Sequence, residues 1–277
     1  MQRNEKVPIH GHFFYRNGFQ TPFEQKEKTM RLKDKISLTT GAASGIGLET
    51  ARAFAREGAT VLLCDISAEG LEKACRTLSQ ESARFIAIQL DVTKEEDWIR
   101  TAQKVESQFG KLDVFFNNAG IAIAKPFADL SLAEFERQMA VNCTGAFLGI
   151  KYLAPLLVAS GNGSIINTAS DAATVGFVNH AAYGASKAAI AMLSQVAAAE
   201  YCRQNVRSNS IHPAAVATPM LMRPDEDITQ DPGYFTHLGR ILHPEDVAAL
   251  VLFLASDDAR MITGAKFALD GGGTGFQ

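Results

Sequence analysis

The chain has 277 residues, 47% of them hydrophobic and 21% charged, enough to bury a sizeable core in one large domain or two small ones. Its formal charge of −3 comes from interspersed acids and bases, and the absence of a basic stripe argues against a nucleic-acid partner. Cys64, Cys75, Cys143 and Cys202 are far apart and form no CxxC pair, so they read as small hydrophobes in a reducing cytosol, with neither a zinc cluster nor a disulfide framework expected. No apolar run approaches the ~18 residues of a membrane span, and "AAIAMLSQVAAA" is broken by Ser194 and Gln195.

Residues 1–30 are polar and mixed in charge, with Pro8, Gly11, Gly18 and Pro22 and no sustained period, and they lack the apolar core of a signal peptide. They read as an extension that is flexible or packs on a neighbouring subunit; alternatively Met30 is the physiological start. His10 and His12 read as part of a solvated tail, and no metal site is expected.

From residue 35 short β-branched runs alternate with longer segments of helical period, the pattern of a parallel sheet covered by helices on both faces. Strands are expected at 35–40, 60–65, 84–90, 112–117, 163–170, 206–212 and 265–270. Helices are expected at about 45–57, 68–80, 93–109, 131–159, 181–203 and 244–256. No linker divides residues 31–277, so one doubly wound, seven-stranded α/β domain of Rossmann type is expected, with a substrate loop at about 219–240.

Ligands of such a sheet bind beyond the carboxyl ends of the strands. After the first strand, "TTGAASGIGLET" places Gly41, Gly45 and Gly47 at the start of a helix, where backbone can approach a pyrophosphate and free amides meet its charge. Asp65 ends the second strand, 24 residues beyond Gly41, where a carboxylate accepts hydrogen bonds from ribose hydroxyls and repels a 2′-phosphate. Neither Ser44 nor Ile66 is basic, so NAD is expected in preference to NADP. After the third strand, Asp91 either bonds the adenine amino group, with Val92 supplying a backbone amide, or joins Thr93 in capping the next helix. After the fourth comes "NNAG", residues 117–120, polar groups followed by small residues against which a flat cofactor can lie.

Together these stretches resemble the short-chain dehydrogenase/reductase family, in its single-domain branch, from about residue 31 to the end. The resemblance is carried by "TGAASGIG" at 40–47, "NNAG", Asn142, Ser170, "YGASK" at 183–187 and "HPAAVATP" at 212–219. It implies a cofactor site of Gly41, Ser44, Gly45, Ile46, Gly47, Asp65, Asp91, Val92, Asn118, Ala119, Gly120, Tyr183, Lys187, Pro213, Val216 and Thr218, and catalytic positions at Asn142, Ser170, Tyr183 and Lys187. Pro213-Ala214 departs from the family's usual Pro-Gly but leaves Thr218 free to hold the nicotinamide carboxamide.

On a helix, Tyr183 and Lys187 share one face with their Cβ atoms about 5 to 6 Å apart. The ammonium, joined by a positive nicotinamide ring, is expected to lower the phenol's pKa by roughly 1 to 3 units and suit it to carry a proton. By resemblance, Lys187 also bonds the nicotinamide ribose and Asn142 holds a water in a proton relay behind the lysine. Ser170 would bond the substrate oxygen.

The expected activity is NAD-dependent interconversion of a secondary alcohol and a ketone. The alternatives are an NADPH-using 3-oxoacyl or carbonyl reductase and a nucleotide-binding regulator that performs no chemistry. Val175, Phe177, Met220, Leu221 and Met222 are expected to line an apolar substrate pocket. Asp171 and His180 are its available polar discriminators, although a structural role is preferred for both. Alanines spread around the 181–203 helix suggest burial on two sides, one against a partner subunit of a homodimer or homotetramer, the family's usual states.

Overall fold

The computed structural model describes residues 30–79, 84–222 and 228–275. His10 and His12, and all of the N-terminal extension except Met30, lie outside these. Seven parallel strands form one sheet in the order β3-β2-β1-β4-β5-β6-β7: β1 Ile36–Thr40, β2 Thr60–Asp65, β3 Arg84–Gln89, β4 Val114–Asn117, β5 Gly163–Thr168, β6 Val206–Pro213 and β7 Lys266–Leu269. Strands β1, β4, β5 and β6 are buried along their whole length, so burial does not alternate along them as it would in a sheet with one face in water; β6 buries Arg207, Asn209 and His212 as well. The order reverses between β1 and β4, opening a crevice above their carboxyl ends.

Helices cover both faces. α1 (Gly45–Arg56), α2 (Ala68–Leu78) and α7 (Pro244–Ala255) enclose one core around Phe54, Leu63, Phe116 and Val251. The other core gathers around Leu38, Trp98, Phe115, Leu153 and Ile165, under α3 (Glu95–Phe109) and α5 (Gly145–Ala159). Trp98 meets Phe115 edge to face and donates its indole N–H to Val92 O at 3.0 Å, so its polar atom is satisfied inside the core. α6 (Ala181–Tyr201) buries Ala182, Ala191, Ala197 and Ala198 and exposes Ala185 and Ala188.

Predicted and observed elements agree except in the stretch expected as a single helix over 131–159. It comprises α4 (Leu132–Met139), a π-helical turn at Ala140–Thr144 and α5. The turn widens because Gly145 N–H bonds Ala140 O, five residues back. Apolar spacing cannot reveal one inserted residue, whereas Asn142, a poor helix former, marks where it falls. The helical stretch Leu132–Ala159 is long and apolar enough to cross a membrane by length and composition, but 56% of its most apolar window is buried inside this fold.

Candidate active site

The carboxyl edge is assembled by close backbone contact on the β1 side. A Cβ on Gly47 would lie 2.1 Å from Gly41 O, and Gly41 adopts a positive φ of 65° with Ala119 packed against it. Ser44, exposed, is the N-cap of α1 but makes no side-chain capping bond, so the amides of this helix start stay turned toward the crevice; Ile46 packs inward on the core. Thr40 Oγ1 accepts hydrogen bonds from Asn118 N at 2.9 Å and Ala119 N at 3.0 Å, tying the β1 and β4 turns together. Thr40 opens the "TGAASGIG" stretch, but its tie to the β4 turn is visible only in the fold.

Asp65 closes the far side, its Oδ2 accepting from Ala43 N at 3.1 Å and its Oδ1 from Ser67 N at 3.0 Å. Each oxygen keeps acceptor capacity for a further donor. A cavity of about 480 Å³ is lined by Gly41, Asp65, Asp91, Val92, Gly120 and Arg137, among others. These residues fit a dinucleotide: a glycine turn with no room for a Cβ at Gly47, a helix start without a side-chain cap, and a carboxylate at the end of the neighbouring strand β2. Arg137 could not be anticipated, since α4 reaches the cavity only through the tertiary fold.

Asp91 lines this cavity, but the capping alternative fails. Its Oδ1 accepts from Thr93 N and Thr93 Oγ1 at 3.0 and 2.7 Å, bracing the turn before α3, whose N-cap is Lys94 without a side-chain capping bond.

Toward the middle of the edge, Asn142, Lys187 and Gly120 converge: a Cβ on Gly120 would stand 3.2 Å from Asn142 Oδ1 and 3.5 Å from Lys187 Nζ. Asn142 is wholly buried; its Oδ1 accepts from Ile121 N, and its Nδ2 donates to Ile121 O and Ser186 Oγ. The side-chain amide therefore clamps the Ile121 backbone and Ser186 beside the lysine. Lys187 Nζ donates to Thr168 O at 2.8 Å, and burial without a countercharge lowers its pKa to about 8.

In the protein alone the Tyr183 phenol is shifted upward, so Lys187 by itself does not produce the acidification expected from it together with a positive nicotinamide ring. Burial raises the phenol above its ordinary value, the negative charge of Asp171 adds to the rise, and a hydrogen bond with Ser170 opposes it. The ammonium of Lys187 sits 5.6 Å from the centre of the tyrosine ring and is itself poorly solvated. Desolvation therefore outweighs proximity.

Ser170 follows β5; its hydroxyl donates to Asp171 Oδ1 at 2.8 Å and accepts from Ala172 N at 3.2 Å. Its carbonyl accepts from His212 Nδ1 at 3.0 Å, while His212 Nε2 bonds Ser210 Oγ at 2.9 Å. Burial lowers the pKa of His212, in keeping with a neutral ring carrying its proton on Nδ1. His212 thus fixes the Ser170 backbone from the neighbouring strand, a link invisible in either motif alone.

The segment after β6 folds back over the glycine turn. Thr218 is buried, and its methyl would meet a Cβ on Gly45 at 3.2 Å, while Pro213 ends β6 and Val216 bridges to Leu242. A second cavity, about 720 Å³, takes in Val175, Phe177, His180 and Gly184 together with Lys125, Pro126 and Phe127. The 125–127 segment was not anticipated; it is joined through Lys125 N, which donates to Asn179 O at 2.9 Å. Met220, Leu221 and Met222, expected in the same pocket, are not part of its lining, because the chain turns from Thr218 toward the glycine loop. Part of the expected 219–240 loop, residues 223–227, lies outside the described residues.

The sheet order alone places the molecule among doubly wound dinucleotide-binding folds. A family model described as enoyl-(acyl carrier protein) reductase matches residues 41–274. An NAD-dependent glycerol dehydrogenase of Listeria innocua is 35% identical over 253 residues, covering 91% of this chain and 98% of the relative. A trans-4-hydroxycyclohexanecarboxylate dehydrogenase of Sinomonas cyclohexanicum is 38% identical over 254 residues, covering 88% and 94%. Among solved structures, a levodione reductase superposes with a TM-score of 0.83 at 32% identity, covering 89% of this chain and all of the other. The chain belongs to the short-chain dehydrogenase/reductase family.

Proposed function

We propose that this chain is an NAD(H)-dependent oxidoreductase that interconverts a secondary alcohol and a ketone. The observation that carries the reading is that Asn142 and Lys187 meet beside Gly120, a lining residue of the cavity bounded by Asp65, while Tyr183 lies next to Lys187 and bonds Ser170. NAD, when bound, supplies the acceptor for hydride. Tyr183 removes the hydroxyl proton during oxidation and returns it during reduction. The raised pKa of its phenol in the free protein makes a nearby positive charge part of the working site. Lys187 supplies one such charge and holds the nicotinamide ribose, while Asn142 keeps the Ile121 backbone and Ser186 in place around it. Gly41, Ser44, Gly45, Ile46 and Gly47 receive the pyrophosphate, Asp65 the adenosine ribose, Asp91 and Val92 the adenine, and Asn118, Ala119 and Gly120 the middle of the cofactor. Pro213, Val216 and Thr218 close on the carboxamide. Asp65 disfavours a 2′-phosphate, which separates this reading from an NADPH-dependent reductase.

The relatives' names concern a triol and a cyclic hydroxy acid, and the substrate class proposed here is correspondingly a small polyhydroxy or cyclic alcohol. Phe147, Met192 and Val196 expose apolar surface on α5 and α6, which supports a homodimer or homotetramer formed through these helices. All four cysteines are free thiols, which suits the reducing cytoplasm. The test is nicotinamide absorbance with NAD across polyols, cyclic alcohols, steroids and hydroxyacyl compounds, with Tyr183→Phe as control. A flat response to every alcohol overturns the reading, whereas turnover that Tyr183→Phe abolishes while NADH still binds supports it and excludes a mere regulator.

A further inference from the structure

Asp171, next to Ser170, has no task in the chemistry above. Its Oδ1 is fully engaged, accepting from Ser170 Oγ at 2.8 Å and Ala172 N at 2.7 Å. Its Oδ2 accepts no hydrogen bond from a described residue, yet it is not among the enclosed side-chain atoms that lack a partner. That oxygen therefore faces open space. The carboxylate is half buried, and its charge is felt at Tyr183 on α6 and at His180, whose own ring packs 5.9 Å from the tyrosine ring. His180 Nδ1 donates to Val178 O, leaving Nε2 as an acceptor, and His180 lines the cavity of about 720 Å³ together with Ala172, the residue after Asp171. Burial and the charge of Asp270 raise the Asp171 pKa, while the bonds from Ser170 and Ala172 and the proximity of His180 counter them.

A monohydric alcohol brings a single O–H to this site, and Tyr183 takes its proton. Once bound, that alcohol displaces water from the open carboxylate oxygen without offering it a donor, which is costly for a charged acceptor. A second hydroxyl on the same molecule supplies that donor, whereas an anionic substituent would meet the negative charges of Asp171 and Asp270. We infer that Asp171 is a specificity-determining residue that selects neutral alcohols bearing a second, neighbouring hydroxyl, diols and polyols and the hydroxyketones they yield, by accepting a hydrogen bond from that hydroxyl at Oδ2. The inference rests on the oxidoreductase reading and narrows its substrate.

Matched pairs test it: cyclohexanol against cyclohexane-1,2-diol, and propan-2-ol against propane-1,2-diol, each with NAD and the full-length wild type, Asp171→Asn and Asp171→Ala. The expected result is a diol preference in kcat/KM of at least about tenfold in the wild type, the usual worth of a hydrogen bond to a charged partner, reduced in Asp171→Asn and abolished in Asp171→Ala. A readout independent of turnover is the melting temperature in saturating NADH, which diol raises in the wild type and leaves unmoved in Asp171→Ala. Equal use of diol and monohydric alcohol by the wild type overturns the assignment even if neither variant folds, and so does a preference that survives Asp171→Ala; both leave the oxidoreductase reading standing. Failure of every alcohol in the wider panel to reduce NAD removes that reading, and this assignment falls with it.

Discussion

In the turn from Gly41 to Gly47 the backbone leaves no room for a side chain at Gly47 and little at Gly41 and Gly45, and the neighbouring turn of β4 is pressed against it. Across the switch point, between Ser170 and Lys187, the chain is held instead by side-chain hydrogen bonds and by charges that burial has made costly. The first region is governed mainly by sterics, with one bond from Ala43 N to Asp65. The second is governed by solvation, so its protonation states are set by what is bound there. A cofactor cradle and a proton-transfer site thus share one sheet edge while answering to different physical terms.

Removing the proton carrier should break the second region most severely. Tyr183→Phe is expected to lower kcat on the order of a thousandfold while NADH affinity, read by fluorescence titration, stays within about twofold. The first region should fail by crowding. Gly47→Ala forces its Cβ onto Gly41 O, and the turn must shift; a loss of about 2 kcal/mol in urea-unfolding stability and weaker NADH binding are expected.

Lys187 sharpens the contrast through pH. Its folded pKa of about 8 lies below its ordinary value of 10.5, so between those values the unfolded chain binds more protons and stability rises with pH. Below about pH 8 the whole penalty is present, about 3 kcal/mol before the bond to Thr168 O is counted. Lys187→Met should therefore be more stable than the wild type at pH 7 by at least about 1 kcal/mol, with the advantage shrinking toward pH 10; denaturant midpoints at the two pH values measure it. A change of similar size is expected at Asp65. Exchange for serine should reduce the NAD over NADP preference in kcat/KM by about tenfold, since a hydroxyl accepts from ribose without repelling a phosphate.

Much of the architecture was legible because its signals are local. Buried β-branched runs such as Thr60–Asp65 and the glycine turn at Gly41–Gly47 can each be read within about ten residues, and Asp65 is marked by its place at a strand end. The π turn at Ala140–Thr144 escaped, because one extra residue leaves apolar spacing almost unchanged. Lys125–Phe127 and Arg137 escaped because they reach their cavities from distant parts of the chain.

The sequence by itself determined the order of strands and helices, the sharp turn after β1 and the four-residue spacing of Tyr183 and Lys187, since each depends on conformational preferences of neighbouring residues. Only the tertiary structure decided that Tyr183 becomes a weaker acid, that His212 braces Ser170 and that Asp171 keeps one oxygen free. Those outcomes depend on how much water each group loses and on which distant atoms replace it, and both are properties of the packed chain.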